Sequence, residues 1–258
     1  MKYAYVDGDC VVAVKPSGMP SAPIRENEKN TALSCASMDF PEISTVAGRK
    51  PIEGGLLHRL DTDTAGLVVF ARTQRFYESV FKAQEDGLFI KDYTAVCSFV
   101  PSVCSLIPGF PAVPFAGSIA DVEMPFQIKS FFRFYGKSRR QVRPVTMDCG
   151  PYVAKKISCD KEYTTELVSI QKEEDKVITI CRIKKGFRHQ VRCHLSWCGI
   201  PVVADTLYNP LYLSSGEEIC TKETLRFFAT KVSFPHPKEG SDFFVEIPFA
   251  DFTDFEPR

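Results

Sequence analysis

The chain has 258 residues, 44% of them hydrophobic and 25% charged, enough to bury a substantial core in one or two domains and ordinary for a globular protein. Its 32 basic and 32 acidic residues cancel, so no whole-chain field attracts a polyanion, and any such binding must come from local clusters. No apolar run approaches a membrane span, and residues 1–9 lack the apolar core of a signal peptide, so a cytoplasmic protein without membrane contact is expected.

Residues 10–14 read as a strand, stopped by the turn signal Lys15-Pro16-Ser17-Gly18. Residues 20–54 carry Pro and Ser with weak periodicity and predict a loop with a short helix. The polar stretch His58-Arg59-Leu60-Asp61-Thr62-Asp63-Thr64 then opens onto Val68-Val69-Phe70, a buried strand by its apolar content. A loop anchored to a buried strand can hold a reactive carboxylate still. On spacing alone, however, capping the turn is the leading reading of Asp61 and Asp63.

Residues 75–86 place Phe76, Val80 and Phe81 at helical spacing, with Gly87 as the stop. Residues 89–99 read as a strand with Tyr93, Ala95, Cys97 and Phe99 on one face. Four prolines make 101–117 an irregular insertion. Residues 163–170 and 176–184 form a hairpin turning at 171–175. A helix is predicted over 187–198, ended by Gly199 and Pro201, with Val191, Leu195 and Cys198 as its buried stripe. On that helix Arg188 and Arg192 lie one turn apart and repel by a few tenths of a kcal/mol. A carboxylate or phosphate against them would remove the conflict, and Asp61 is a candidate.

Ten cysteines are scattered without a Cys-x-x-Cys pair and read as small buried hydrophobes. His189, Cys193, His194 and Cys198 cluster, but a helix would put them on two faces about 100° apart, so no metal site is expected. Charge is distributed unevenly. Lys129, Arg133, Lys137, Arg139, Arg140 and Arg143 lie in an acid-free stretch, 124–147, interleaved with Phe131, Phe132, Phe134 and Tyr135. Arg182, Lys184, Lys185, Arg188 and Arg192 form a second acid-free cluster. Basic groups among aromatics suit RNA, where phosphates meet the charge and unpaired bases stack on rings.

His58-Arg59-Leu60-Asp61-x-x-Thr64-x-Gly66-Leu67 resembles the catalytic motif of the RluA-type pseudouridine synthases, usually written HRLDxxTSGL. Three further blocks are similar and fall in the same order: Asp9-x-x-x-x-Ala13-Val14-Lys15-Pro16-Ser17-Gly18-Met19, then Lys91-x-Tyr93-x-Ala95-Val96, then Gly186-x-x-His189-Gln190-Val191-Arg192-x-His194-Leu195 continuing through Gly199-x-Pro201-Val202-x-x-Asp205-x-x-Tyr208. The ending Phe228-Ala229-x-x-Val232-x-Phe234-x-His236-Pro237 resembles the family's closing strand.

The resemblance implies an α+β fold, a mixed, largely antiparallel central sheet with flanking helices and loops. Residues 1–258 would be a single catalytic domain without an N-terminal S4 domain. It implies Asp61 as catalytic aspartate, Tyr93 packed on the base and assisting removal of the C5 proton, Arg192 ion-paired with Asp61, and Arg59 filling the gap left by a flipped-out uridine. His58, Arg188, His189 and Gln190 would join the basic residues 129–143 in contacting RNA. The implied reaction isomerises a uridine of ribosomal or transfer RNA, with no metal and no cofactor, in a monomer. A silent RNA-binding module on the same fold is the alternative. Three departures stand out: Ala65 replaces Ser, Phe187-Arg188 replaces Arg-Thr, and Ala204 replaces a common Gly. Arg192→Met would then be expected to lose activity with little loss of stability.

Overall fold

The computed structural model describes residues 1–25, 28–159, 161–173, 176–213, 223–237 and 241–253. In chain order its elements are β1 Lys2–Val6, β2 Cys10–Lys15, α1 Ala32–Asp39, β3 Ala65–Ala71, α2 Gln74–Glu85, β4 Ile90–Ser98, α3 Val103–Leu106, β5 Phe126–Tyr135 and β6 Gln141–Val145. There follow α4 Pro151–Ala154, β7 Tyr163–Glu173, β8 Lys176–Ile183, α5 Gln190–Trp197, α6 Pro210–Leu213, β9 Phe227–Pro235, β10 Asp242–Glu246 and α7 Ala250–Thr253. The class is α+β and the strand pairing is mixed but largely antiparallel, as expected. Among the described residues no helix is long and apolar enough to cross a membrane. The chain divides into two compact units, Met1–Tyr93 with Phe228–Arg258, and Thr94–Phe227.

In the first unit the strands run in the order β1-β2-β3-β9-β4, with β10 on β9. Both β2 and β3 are buried along their whole length, which is why their sequences are continuously apolar rather than alternating. Their register, Cys10↔Ala71 to Lys15↔Gly66, sets the end of β2 beside the start of β3. β3 then pairs with β9 in parallel at Gly66↔Ala229. A Cβ on Gly66 would lie 2.3 Å from the Ala229 carbonyl oxygen, so only glycine admits this approach. Helix α2 is capped by Thr73, whose hydroxyl accepts from the Phe76 N–H, and it buries Phe76, Tyr77 and Val80 in a core with Val12, Val69, Phe89 and Phe234.

In the second unit the order is β4-β8-β7-β5-β6. Strand β4 differs from a one-faced strand: Asp92 and Thr94 are buried as well as Tyr93, Ala95 and Cys97, while Phe99 lies beyond the strand and is exposed. The β7–β8 hairpin is longer than its charge pattern suggests. Gln171, Lys172 and Glu173 belong to β7, paired with Ile178, Val177 and Lys176, because the cross-strand ladder outweighs their polarity. Glu174 and Asp175 lie outside the described residues, as does Cys220. Residues 101–117 are irregular apart from the single turn α3.

Helix α5 begins at Gln190, three residues later than its apolar pattern implied, because His189 adopts a left-handed backbone at φ 53. Its other end matches the reading. Gly199 (φ 82) sends its N–H to the Ser196 carbonyl and Ile200 sends its own to Leu195, the bonding of a Schellman cap. All eight residues of α5 are buried, so no single stripe faces the core.

Candidate active site

Asp61 sits on a turn closed by the Thr64 N–H on the Asp61 carbonyl, immediately before buried β3. Three side chains, Lys15 at the end of β2 and two from the loop after it, grip this turn. Lys15, fully buried, donates from Nζ to the carbonyls of Pro16 (2.9 Å), Met19 (2.6 Å) and Thr62 (2.9 Å). Ser17 donates to the Asp63 carbonyl at 2.8 Å. Ser21 donates to the Leu60 carbonyl and accepts from the Leu60 N–H, at 2.8 and 2.9 Å. Burial pushes the Lys15 ammonium down to about 8, against the opposing pull of Asp63 and Asp61. The Lys-Pro-x-Gly pattern reveals a turn but nothing of this clamp.

Tyr93 is buried, and burial first, then the negative charge of Asp61, holds its phenol above the usual range. The structure therefore brings Asp61 and Tyr93 into one electrostatic environment. Arg59 points outward, its side chain 64% exposed and 3.5 Å from Glu53. His58 turns inward instead. Its Nε2 accepts from the Val69 N–H at 3.3 Å, and its ring lies 5.3 Å from that of Phe89. Burial, reinforced by the Lys91 charge, pushes the imidazole well below its usual pKa, so it is neutral. The same desolvation lowers Lys91 to about 8.

In the second unit Arg192 is buried and makes a two-pronged pair with Asp205: Nε to Oδ2 and Nη2 to Oδ1, each at 2.8 Å. The same Asp205 Oδ1 accepts the N–H groups of Leu207 (2.9 Å) and Tyr208 (3.2 Å), so one carboxylate orients the guanidinium and closes the following turn. The turn is entered through Ala204 at φ 60, a left-handed conformation that accounts for the common glycine there. Arg192 also lies over the Tyr208 ring, 5.5 Å from its centroid. The Tyr208 hydroxyl accepts from the Val142 N–H and meets His189 Nδ1 at 3.0 Å. Asp205 is the partner of Arg192 that charge spacing missed. Its only prior sign was its place in the last motif block.

Arg188 is not on α5. It precedes His189 and is exposed, so the expected Arg188–Arg192 repulsion does not arise. Gln190 is buried, its amide holding the Phe187 N–H, the Thr164 carbonyl and the Thr165 hydroxyl. His194 is bridged between Ser130 (2.9 Å) and Thr165 (2.8 Å), with its pKa lowered by burial to about 3. Among the described residues no group of three or more His, Cys, Asp or Glu is placed to hold a metal ion.

The basic stretch is split by the β5–β6 hairpin. Lys129, Lys137, Arg139 and Arg140 are exposed, and Arg133 is half-buried. Arg143 is buried, with its guanidinium on the Pro108 and Val142 carbonyls and the Gln141 side chain, 4.2 Å from the Tyr135 ring centroid. Charge pattern alone does not reveal which way it points. Phe187, in the place of the usual arginine, stacks on Phe132 at 5.0 Å.

A family model described as RNA pseudouridylate synthase matches residues 9–197. The uncharacterized RNA pseudouridine synthase YlyB of Bacillus subtilis is 24% identical over 252 residues, covering 96% of this chain and 68% of its own. The ribosomal large subunit pseudouridine synthase D of Neisseria meningitidis serogroup B is 24% identical over 254 residues. That match covers 96% of this chain but 58% of the relative, so the chain spans little more than half its length. Among solved structures, human RNA pseudouridylate synthase domain containing 4 superposes with a TM-score of 0.62 at 16% identity, over 99% of this chain and 91% of that one. At that identity the likeness is one of fold.

Proposed function

Because the chain belongs to the RNA pseudouridylate synthase family, we propose that it converts a uridine of structured RNA to pseudouridine, with residues 1–258 acting as one cytoplasmic, monomeric catalytic domain. The observation that carries this reading is the clamped turn: Lys15, Ser17 and Ser21 immobilise Asp61 in the same environment as the Tyr93 phenol. Asp61 either attacks the ribose C1′ or deprotonates the sugar, the N1–C1′ bond breaks, and uracil turns and rejoins through C5. The C5 proton is lost and N1 gains one, so the conversion is an isomerisation that consumes no other reagent.

Tyr93, held as a neutral phenol, offers its ring to the base and assists removal of the C5 proton as a relay, its hydroxyl giving up its own proton as it takes that one. Arg192 is the third catalytic residue by the family resemblance, its guanidinium oriented by Asp205. Arg59, exposed beside the turn, fills the place of the flipped base. RNA contact falls to the outward basic groups Lys129, Arg133, Lys137, Arg139, Arg140 and Arg188, with His189 beside them. His58 turns inward and Gln190 and Arg143 are buried, so each holds its own surroundings in place instead of meeting RNA directly. The Neisseria relative's name puts ribosomal large subunit RNA first among substrates to test, ahead of transfer RNA.

Asp61→Asn should fold, bind RNA and form no pseudouridine when incubated with total RNA and assayed by base-resolved mapping. Residual turnover in that variant would refute the role of Asp61. Binding without modification by the unaltered chain would favour the silent-module reading.

A further inference from the structure

Away from the clamped turn, the second unit carries a cleft of about 400 Å³ lined by Phe134, Arg139, Lys155, Lys156, Ile157 and Ser158. Its floor is built by the edge of β5. Beyond Ser130, where β7 stops pairing at Tyr163, the edge is taken over by Ser158. Ser158 donates its N–H to the Phe132 carbonyl at 2.8 Å, and its hydroxyl accepts the Phe134 N–H at 3.2 Å. This places the Lys155–Lys156 pair, which follows α4, against the hairpin that carries Arg139.

The lining combines charge with flat surfaces. The Arg139 guanidinium lies over the Phe134 ring, 5.0 Å from its centroid, from a left-handed backbone (φ 52) that arginine rarely adopts. Just outside the lining, Tyr152 sets a ring that is 71% exposed against it, its centroid 3.7 Å from Lys156 Nζ. From residue 124 to 159 there are eight basic side chains against the single carboxylate of Asp148. Among the described residues no carboxylate is within ion-pair distance of Arg139, Lys155 or Lys156. Small-ligand clefts run from about 300 to 1,000 Å³, and this one is of a size for a single nucleotide.

We infer that this cleft grips one unpaired nucleotide of the substrate RNA, its base stacked on the Arg139–Phe134 pair and on Tyr152, and its phosphate held by Lys155 and Lys156. Guanidinium planes and aromatic rings are the surfaces on which unstacked bases rest, and a basic groove follows the backbone. The cleft would then recognise a single-stranded element of the RNA apart from the uridine that reacts. The inference rests on RNA being the substrate class.

The test measures binding of a labelled ten-nucleotide single-stranded RNA, and of its duplex, by fluorescence anisotropy across a salt series, with pseudouridine formation on total RNA in parallel. The exposed positions permit Lys155→Ala/Lys156→Ala and Tyr152→Ala without disturbing the core, which a thermal melt checks. The double variant should weaken single-strand binding tenfold or more and flatten the logarithmic salt slope by about 0.7, for the one phosphate that the two lysines hold. Tyr152→Ala should weaken it about fivefold or more with the slope unchanged, as loss of a stacking surface requires.

Binding and slope equal to the unaltered chain in both variants would overturn the inference. Equal losses on duplex and single strand would do so too, leaving a phosphate patch without a base pocket. Displacement of the RNA by polyglutamate at the same charge concentration would assign the cleft to an acidic protein instead. Pseudouridine formation with no effect of these variants refutes the cleft alone. Cleft-dependent binding without any pseudouridine refutes the proposed reaction alone.

Discussion

Asp205→Asn tests how the second unit holds Arg192. The carboxylate is fully buried and accepts four hydrogen bonds: two from Arg192, one each from the Leu207 and Tyr208 N–H groups. An asparagine keeps one oxygen for the two amides but turns an NH₂ toward a guanidinium N–H, so donor faces donor and a buried cation loses its counter-charge. Removing one partner of a buried pair costs about 3–5 kcal/mol, which for a chain of this size lowers Tm by roughly 6–12 °C. Asp205→Ala strands the two amides as well and should cost about 2 kcal/mol more.

Calorimetric melts and urea titrations of Asp205→Asn, Arg192→Met and the double variant give the cycle. A coupling of about 2 kcal/mol or more is expected, because once one partner is gone the other has little left to lose. Arg192→Met should therefore reduce stability as well as activity, contrary to the sequence-based expectation that it would spare the fold. An Asp205→Asn melt within about 2 °C of the unaltered chain, or additive losses in the cycle, would refute the reasoning.

Ala204→Gly relieves a left-handed alanine worth about 1–2 kcal/mol and gives back about 0.5–1 kcal/mol as unfolded-state entropy. A Tm rise of a degree or two is expected, and a fall would contradict the strain at φ 60. Gly66→Ala forces a Cβ to 2.3 Å from one Ala229 backbone atom and 2.5 Å from another. A loss of roughly 3 kcal/mol or more by urea titration is expected, and less than about 1 kcal/mol would show that the β3–β9 pair can part.

Lys15, with its pKa near 8 in the fold against 10.5 ordinarily, should give the activity an alkaline limb with a midpoint near pH 8, absent from Lys15→Met. The sign for stability is opposite. Between pH 8 and 10.5 the unfolded chain holds the proton and the folded one does not, so the Lys15 contribution to stability rises with pH in that window. A pH–rate profile unchanged by Lys15→Met would refute the clamp's part in the reaction.

The long periodic and apolar segments were legible before any coordinates. Strands β2 and β3 declare themselves by continuous apolar residues, and the stop of α5 by Gly199 and Pro201. The start of α5 was not legible, because nothing in Phe187-Arg188-His189 announces that His189 leaves the helical conformation. That one backbone angle removes Arg188 from the helix and with it the electrostatic argument for an acidic partner. Arg192 does have such a partner in Asp205, thirteen residues on, at a separation that no helical or strand periodicity connects. Arg143 was misread as outward because a run of like charges carries no information about facing. Its pairing with Arg133 and burial at 2% exposure are decided by the hairpin and the 108–110 segment beneath it.

The clamp on the 60–64 turn binds main-chain oxygens: Lys15 takes the carbonyl of Thr62, Ser17 that of Asp63, and Ser21 both backbone groups of Leu60. Every residue has a carbonyl, so these bonds place no demand on the side chain at 62, which faces solvent, whereas the Asp63 carboxylate also opposes the desolvation of the Lys15 ammonium. Position 62 can drift through mutation while Asp61, one residue away, keeps its position. A saturation library over the turn should thus show one permissive position, 62, directly adjoining an intolerant one.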